Sequence, residues 1–329
     1  MANSKSSYRQ VMKATSLFGG VQVFNILIRI VRSKVIALLI GPAGMGIATL
    51  LNSTFELVNG LTNFGLDRSA VKDISLINNK SDSLKVSRTI SILKKLVWYT
   101  ITIGAIVMIV ASPILSELAF ENKEYSIHFI WLSLALVFKQ LSSSQLAILQ
   151  GLRKLNNLAK ANLLGNVLGL IITLPLYYYF GVDAIVPAII VATLMSFLLT
   201  YYFTKKLGLP SIKLSSKEAF SEGKGMIQLG LMLSLSSMFK LIVAYIVRVY
   251  ISQEGSIAEV GLFGAGIVIL DSYVGIIFNA MGTDYFPRLA AISEKIKKIR
   301  KTVFEQALIA VLLITPIIIL FLALAPYII

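Results

Sequence analysis

Long apolar runs dominate this chain, and they limit it to very few folds. A helix needs about 20 mainly apolar residues to cross the hydrocarbon core of a bilayer. Nine segments meet that length, near 14–39, 45–66, 96–116, 127–149, 157–180, 184–203, 226–252, 260–281 and 303–325. Hydrophobic residues make up 56% of the chain and charged residues only 14%, too few polar groups to clothe a soluble surface of 329 residues. The sequence therefore predicts an all-α, polytopic bundle of about nine transmembrane helices. Breaks fall at Gly41-Pro42, at Gly181 and at Gly208-Leu209-Pro210, while Pro113, Pro175 and Pro316 fall inside spans, where helices tolerate kinks.

The net charge of +15 invites a nucleic-acid reading, but its distribution argues against one. Of 31 Lys and Arg, 24 lie in segments 1–13, 67–95, 150–161, 204–225 and 281–302, which share one side of the membrane. The opposite loops carry Lys123 alone, together with Glu117, Glu121, Glu124, Asp183, Glu254 and Glu259. Such a bias orients helices during insertion and puts the N-terminus in the cytoplasm. The basic loops then face anionic lipid headgroups, and nucleic acid is not an expected partner. Cysteine is absent and His128 is the single histidine, so no thiolate or histidine metal site is expected. No nucleotide-binding loop suggests a cofactor.

Apart from His128 and Glu305 in the first turns of their spans, eight ionisable residues sit inside the apolar runs: Arg29, Arg32, Lys34, Glu56, Lys139, Lys240, Arg248 and Asp271. A charge at a helix centre costs about 2.5–3.5 kcal/mol on insertion scales, so each needs a partner, a polar cavity or a route to the interface. Lys34 and Arg248 are near enough to helix ends to snorkel, and Lys139 is a borderline case. Gln22, Asn25, Arg29 and Arg32 follow at steps of three, four and three, on one stripe of the first helix. Asn52, Glu56, Asn59 and Asn63 form the same kind of stripe on the second. Amide stripes alone would fit interhelical hydrogen bonding. Two arginines and a glutamate on the same faces favour a water-filled cavity.

The chain also starts again after residue 220. An offset of 215 places Gly46 on Gly261 and Glu56 on Asp271, and brings Arg32 close to Arg248. Parallel repeats put two lobes around an axis along the membrane normal, with substrate between them. The expectation is a six-helix lobe over 1–208 and three helices of a second, incomplete lobe over 209–329, the chain being a truncated form of a twelve-helix protein. The apolar terminus Ala325-Pro326-Tyr327-Ile328-Ile329 points the same way. Tyr177, Tyr178, Tyr179, Tyr201 and Tyr202 lie where an interfacial aromatic belt would form.

The segments Thr15–Asn25, Arg32-Ser33-Lys34-Val35-Ile36-Ala37, Leu39–Gly46 and Asn63-Phe64-Gly65-Leu66 resemble the start of bacterial O-antigen translocases. These are the Wzx-type flippases of the multidrug/oligosaccharidyl-lipid/polysaccharide exporter superfamily. The resemblance implies two six-helix lobes around a central cavity in the bacterial inner membrane. It also implies transport, without enzymatic chemistry, of undecaprenyl-diphosphate-linked oligosaccharide to the outer leaflet. Polymerase and chain-length proteins of the same pathway would be partners. In related lipid II flippases an arginine nine residues before the glycine ending the first helix lines the cavity, and Arg32 stands nine before Gly41. Ser33 departs from those relatives, which carry an acid there.

Guanidinium suits the diphosphate, with two parallel bonds to its oxygens. The expected substrate-binding set is Arg29, Arg32, Lys139, Lys240 and Arg248 with Asn25, Asn52 and Asn59; Glu56 and Asp271 are the expected ion-coupling pair. A multidrug or cation antiporter of the same superfamily is one rival, disfavoured by the excess of bases over acids in the spans. A membrane-embedded glycosyltransferase or polymerase is another, and would need a larger external loop or a carboxylate motif. A structural or channel role has nothing specific to recommend it.

Overall fold

The computed structural model describes residues 2–78, 82–210, 212–268 and 270 and parts of 299–319, with side chains mainly from Val31 onward. The described residues are helical almost throughout. They run as α1 (Ala2–Thr62), α2 (Leu66–Asn78), α3 (Ser83–Val110), α4 (Ser112–Phe120), α5 (Ser126–Gly151), α6 (Leu155–Phe180), α7 (Ile185–Lys205) and α8 (Ser216–Glu254). A 3₁₀ turn, Gly181–Ala184, joins α6 to α7. Two compact units result, Met1–Leu262 and Phe263–Ile329, and the description below concerns the first.

The all-α bundle is as expected, and five described helical stretches are long and apolar enough to cross a membrane. The expected nine are not reached. Two of the five stretches include a break, and the eighth and ninth expected spans are described only in part, as the shorter apolar helices Ile257–Val268 and Thr302–Pro316. The stretch Leu155–Lys205 has 51 residues, roughly 75 Å if straight, against a hydrocarbon core of about 30 Å. It folds back at Gly181: a Cβ on Gly165 would sit 3.5 Å from the Cα of Ser196, and one on Gly169 3.8 Å from that of Ala192. Small residues let these two backbones approach closely where lipid supplies no hydrophobic drive.

Gly41 breaks α1 as the sequence predicts. Its φ of 67° and ψ of −179° interrupt the helix, and Pro42 restarts it where the missing N–H costs nothing. The third span differs from expectation. Helix α3 starts at Ser83, with the Asp82 side chain accepting from the Lys85 N–H, and ends at Ala111. Pro113 then stands in the first turn of α4 and kinks no span. The bonds from Lys85 hold the Asp82 carboxyl below the usual range.

Segment 67–95, expected only as a basic loop, begins with a further helix. Leu66, Ser69, Ala70 and Ile74 form the buried face of α2, at helical spacing, opposite Arg68 and Lys72. Partial burial pushes the nearby Asp73 carboxyl up. The close passage of α2 past α8 explains Gly65 and Gly230. Gly65 adopts φ 62°, and a Cβ there would strike the Gly230 carbonyl.

Two apolar cores hold the bundle. One gathers Leu50, Leu51, Phe55, Met108, Phe129, Leu132, Leu136 and Tyr177. The other gathers Leu66, Ile74, Leu93, Leu96, Val97, Ile148 and Met226, so α8 closes its edge. Large apolar side chains also face outward along the spans, among them Val110, Met232, Leu235 and Phe239. Continuous apolar exposure of this kind fits lipid, not water. Tyr178, Tyr179, Tyr201 and Tyr202 are exposed as a belt requires, but Tyr177 is 3% exposed and belongs to the core. Its neighbours in the run face out, and the helical turn carries it inward.

Candidate functional site

The site is built where α1, beyond Gly41, runs beside α5. The Lys139 ammonium donates to Glu56 Oε1 at 3.0 Å, joining residues 83 apart in sequence. Their side chains keep 38% and 41% of their exposure, so protein does not enclose the pair. Fully enclosed, two charges would pay heavily for lost hydration, and partial exposure lowers that cost.

The stripe predicted on the second span is visible around this pair. Asn52 is exposed and donates to the Ala48 carbonyl at 2.9 Å. Asn59 is 9% exposed, and its Oδ1 is buried without a hydrogen-bond partner. An amide oxygen left unpaired when buried costs about 1–3 kcal/mol, a cost that a ligand donor or water would remove. Asn63 donates to Asp67 Oδ1 at 3.2 Å and carries the stripe across Gly65 into α2.

The next residue of α5 faces elsewhere. Gln140 is 2% exposed, accepts from Thr100 Oγ1 at 2.9 Å and donates to Thr62 Oγ1 at 3.2 Å. Further round, Ser142 meets Ser196 at 2.8 Å and accepts from Thr200 at 3.3 Å. These contacts join helices and leave no room for a ligand.

Of the residues predicted for the site, Glu56 and Lys139 are the two brought into contact. Lys139 was expected to bind substrate and Glu56 to couple ions; here each is the other's partner. Arg32 is half-buried on α1, within electrostatic reach of Tyr177, and makes no ion pair among the described residues. Lys240 is exposed on α8. Arg248, half-buried on the same helix, donates from Nη1 to the Ala244 carbonyl at 2.7 Å. The side chains of Asn25 and Arg29, and the whole of Asp271, lie outside the described residues. Among the described residues no group of three or more His, Cys, Asp or Glu could hold a metal.

Sequence reading missed two features. The first is a cavity of about 400 Å³ between α2 and α5, lined by Asp67, Arg68, Val71, Ser143, Leu146, Ala147 and Gln150. Its signal was available in Lys139, Ser143, Leu146 and Gln150, which step by four, three and four along one face of α5. The second is the set of ties from α8 to the preceding helices. Arg88 grips Glu222 with both nitrogens, at 2.6 and 2.8 Å, Lys95 donates to the Leu214 carbonyl at 2.6 Å, and Arg68 donates to the Leu233 carbonyl at 2.8 Å. At the far end of α8, Ser252 and Gln253 donate to the Ala119 and Leu118 carbonyls.

Gly261 packs against the start of α1 beyond its break: a Cβ there would meet the Pro42 carbonyl and the backbone N of Gly46.

Comparisons agree with this architecture. A multidrug resistance MATE family transporter of the MOP superfamily, solved in an inward-facing conformation, superposes with a TM-score of 0.69 at 18% identity, over 94% of this chain and 71% of its own. That likeness shows the fold. The lipid III flippases of Escherichia coli (strain K12) and Shigella flexneri are each 23% identical over 270 residues, 80% of this chain. The chain spans 63% of the length of those relatives. These matches are to transport proteins and not to enzymes, and they describe a multi-pass membrane protein. Residues 35–329 match the polysaccharide biosynthesis protein family, and the chain belongs to that family.

Proposed function

We propose that the protein is a flippase that moves a polyprenyl-diphosphate-linked oligosaccharide, such as an O-antigen repeat unit on undecaprenyl diphosphate, across the bacterial inner membrane. The observation that carries this reading is the part-exposed Glu56–Lys139 pair, set on an amide stripe within an apolar span. A polar cargo gives a membrane helix reason to keep such a face. Sugars offer many hydroxyls to Asn52, Asn59 and Asn63. The diphosphate calls for guanidinium, and Arg32, with Arg29, Lys240 and Arg248, is the proposed grip. The lipid tail stays in the bilayer throughout.

In this reading the N-terminus is cytoplasmic, as the 24 basic residues on one side indicate. Glu56 exchanges its Lys139 partner during transport, and Asp271 performs the corresponding role in the repeat. The two lobes, 1–208 and 209 onward, enclose the cavity. Polymerase and chain-length proteins receive the product. A cation antiporter fits the site less well: Glu56 is the acid at the site, and Lys139 already neutralises it.

Deleting the gene tests the proposal. The lipid-linked oligosaccharide should accumulate on the cytoplasmic leaflet and should return to the outer leaflet on complementation. Normal distribution of that lipid in the deletion strain would overturn it.

A further inference from the structure

The cavity between α2 and α5 has no part in the reading given above for the arginines or for the ion pair. We infer that it is a carbohydrate subsite at the cytoplasmic mouth, which holds sugars of the cargo before they enter the membrane; this rests on the flippase reading and deepens it.

Its size and lining carry the argument. A volume of about 400 Å³ falls within the range of small-molecule sites, about 300–1,000 Å³. The lining mixes hydrogen-bonding groups with apolar ones: the Asp67 carboxylate, the Ser143 hydroxyl and the Gln150 carboxamide face the same space as Val71, Leu146 and Ala147. A pyranose presents the matching surface, with hydroxyls around its rim and C–H bonds on its faces. A carboxylate and a carboxamide are suited to neighbouring hydroxyl pairs, because each supplies two hydrogen-bonding atoms side by side.

Charge selects against a phosphate. Asp67 and Arg68 cancel within the lining, and the Arg68 guanidinium is already engaged with the Leu233 carbonyl at 2.8 Å. Asn63 holds one Asp67 oxygen at 3.2 Å and so orients the carboxylate. A neutral polyhydroxyl ligand needs no counter-charge, whereas a diphosphate would meet none in excess.

Position completes the case. The cavity lies at the same end of α5 as Gly151, where the helix leaves the span toward the basic segment 150–161. Ser143 is one turn from Lys139, and Gln150 is roughly 16 Å along the helix from it. On α1, Asn59 and Asn63 follow Glu56 in the same direction. Donors and acceptors thus continue from the cavity to the mid-span ion pair, and Asn59 Oδ1 is an unused acceptor along the way.

Binding by the purified full-length protein in detergent separates this inference from the function on which it rests. Two probes are used: undecaprenyl diphosphate without sugar, and the sugar-bearing carrier extracted from the parent strain. Wild type should bind the second more tightly. Gln150→Leu and Ser143→Ala should each weaken the sugar-bearing carrier by roughly three- to tenfold and leave the bare carrier unchanged, which also shows that the variants are folded. If neither variant alters the sugar-bearing carrier, or if both probes weaken equally, the subsite is overturned while the flippase reading stands. Equal wild-type affinity for the two probes overturns it as well. If wild type binds neither probe, both proposals fall.

Discussion

Lys139 and Gln140 are neighbours on α5, yet they serve opposite ends. Lys139 bonds directly to Glu56, with more than a third of each side chain exposed. Gln140 is buried and fully engaged between Thr100 and Thr62. The Ser142, Ser196 and Thr200 cluster extends the closed type, and the Asn52–Asn63 stripe extends the open one. Both seams are rich in small polar residues at helical spacing. What separates them is exposure: the closed seam buries Gln140, Ser142 and Thr200 and pairs them across helices, whereas the open seam retains a part-exposed charged pair and an exposed amide at Asn52. Polar residues in a membrane protein are thus either fasteners or lining, and burial together with pairing distinguishes the two.

The largest effect is expected at Arg32, which the proposed function assigns to the open side. Arg32→Ala should reduce transport by on the order of 100-fold, and Arg32→Lys by about tenfold, because lysine keeps the charge but loses the planar fork. Expression and melting temperature of both variants should stay near wild type. Full transport by Arg32→Lys would show that charge alone matters there. Adding Glu56→Ala to Arg32→Ala should not rescue transport, since the partner of Glu56 is Lys139.

A smaller effect sharpens the contrast within α5. Gln140→Leu leaves the Thr100 and Thr62 hydroxyls without their partner, which should cost about 1–3 kcal/mol of stability. Transport per folded molecule should be unchanged. Lys139→Ala should do the reverse, with transport reduced and melting little altered, because an ion pair this exposed contributes about 0–1 kcal/mol. Thermal unfolding and flux measured on the same preparations check both. Equal loss of stability in the two variants would erase the distinction between the seams.

Much of the architecture was legible because the bilayer imposes it. Run length gave the all-α bundle and its five described long apolar stretches, Gly41 and Gly181 marked real breaks, and the period of three and four exposed the Asn52–Asn63 stripe. Helix α2 was hidden by its charges: Arg68 and Lys72 made segment 67–95 look like a loop, although Leu66, Ala70 and Ile74 already repeated every four residues. The Glu56–Lys139 pair could not be read at all. Spacing shows which residues share a face of one helix, but not which face of another helix 83 residues away lies opposite. Tyr177 failed for a related reason: a run of three tyrosines reads as a belt until the helix turns one of them inward. Nor does sequence separate open from closed seams, since Ser142 and Asn59 are equally polar on paper.

The central claim is that the α1–α5 face lines a wet path for the cargo, whereas the α5–α7 seam is dry. A chain without cysteine allows this to be measured directly. Single cysteines at Asn52 and Ser142 in the full-length protein, treated with a small water-soluble thiol reagent in inside-out vesicles, report on the two faces. The account predicts that Asn52→Cys reacts readily and is protected by the lipid-linked oligosaccharide, while Ser142→Cys stays unmodified with or without it. Equal labelling at the two positions, or labelling of Asn52→Cys that the lipid-linked oligosaccharide leaves unchanged, would contradict it.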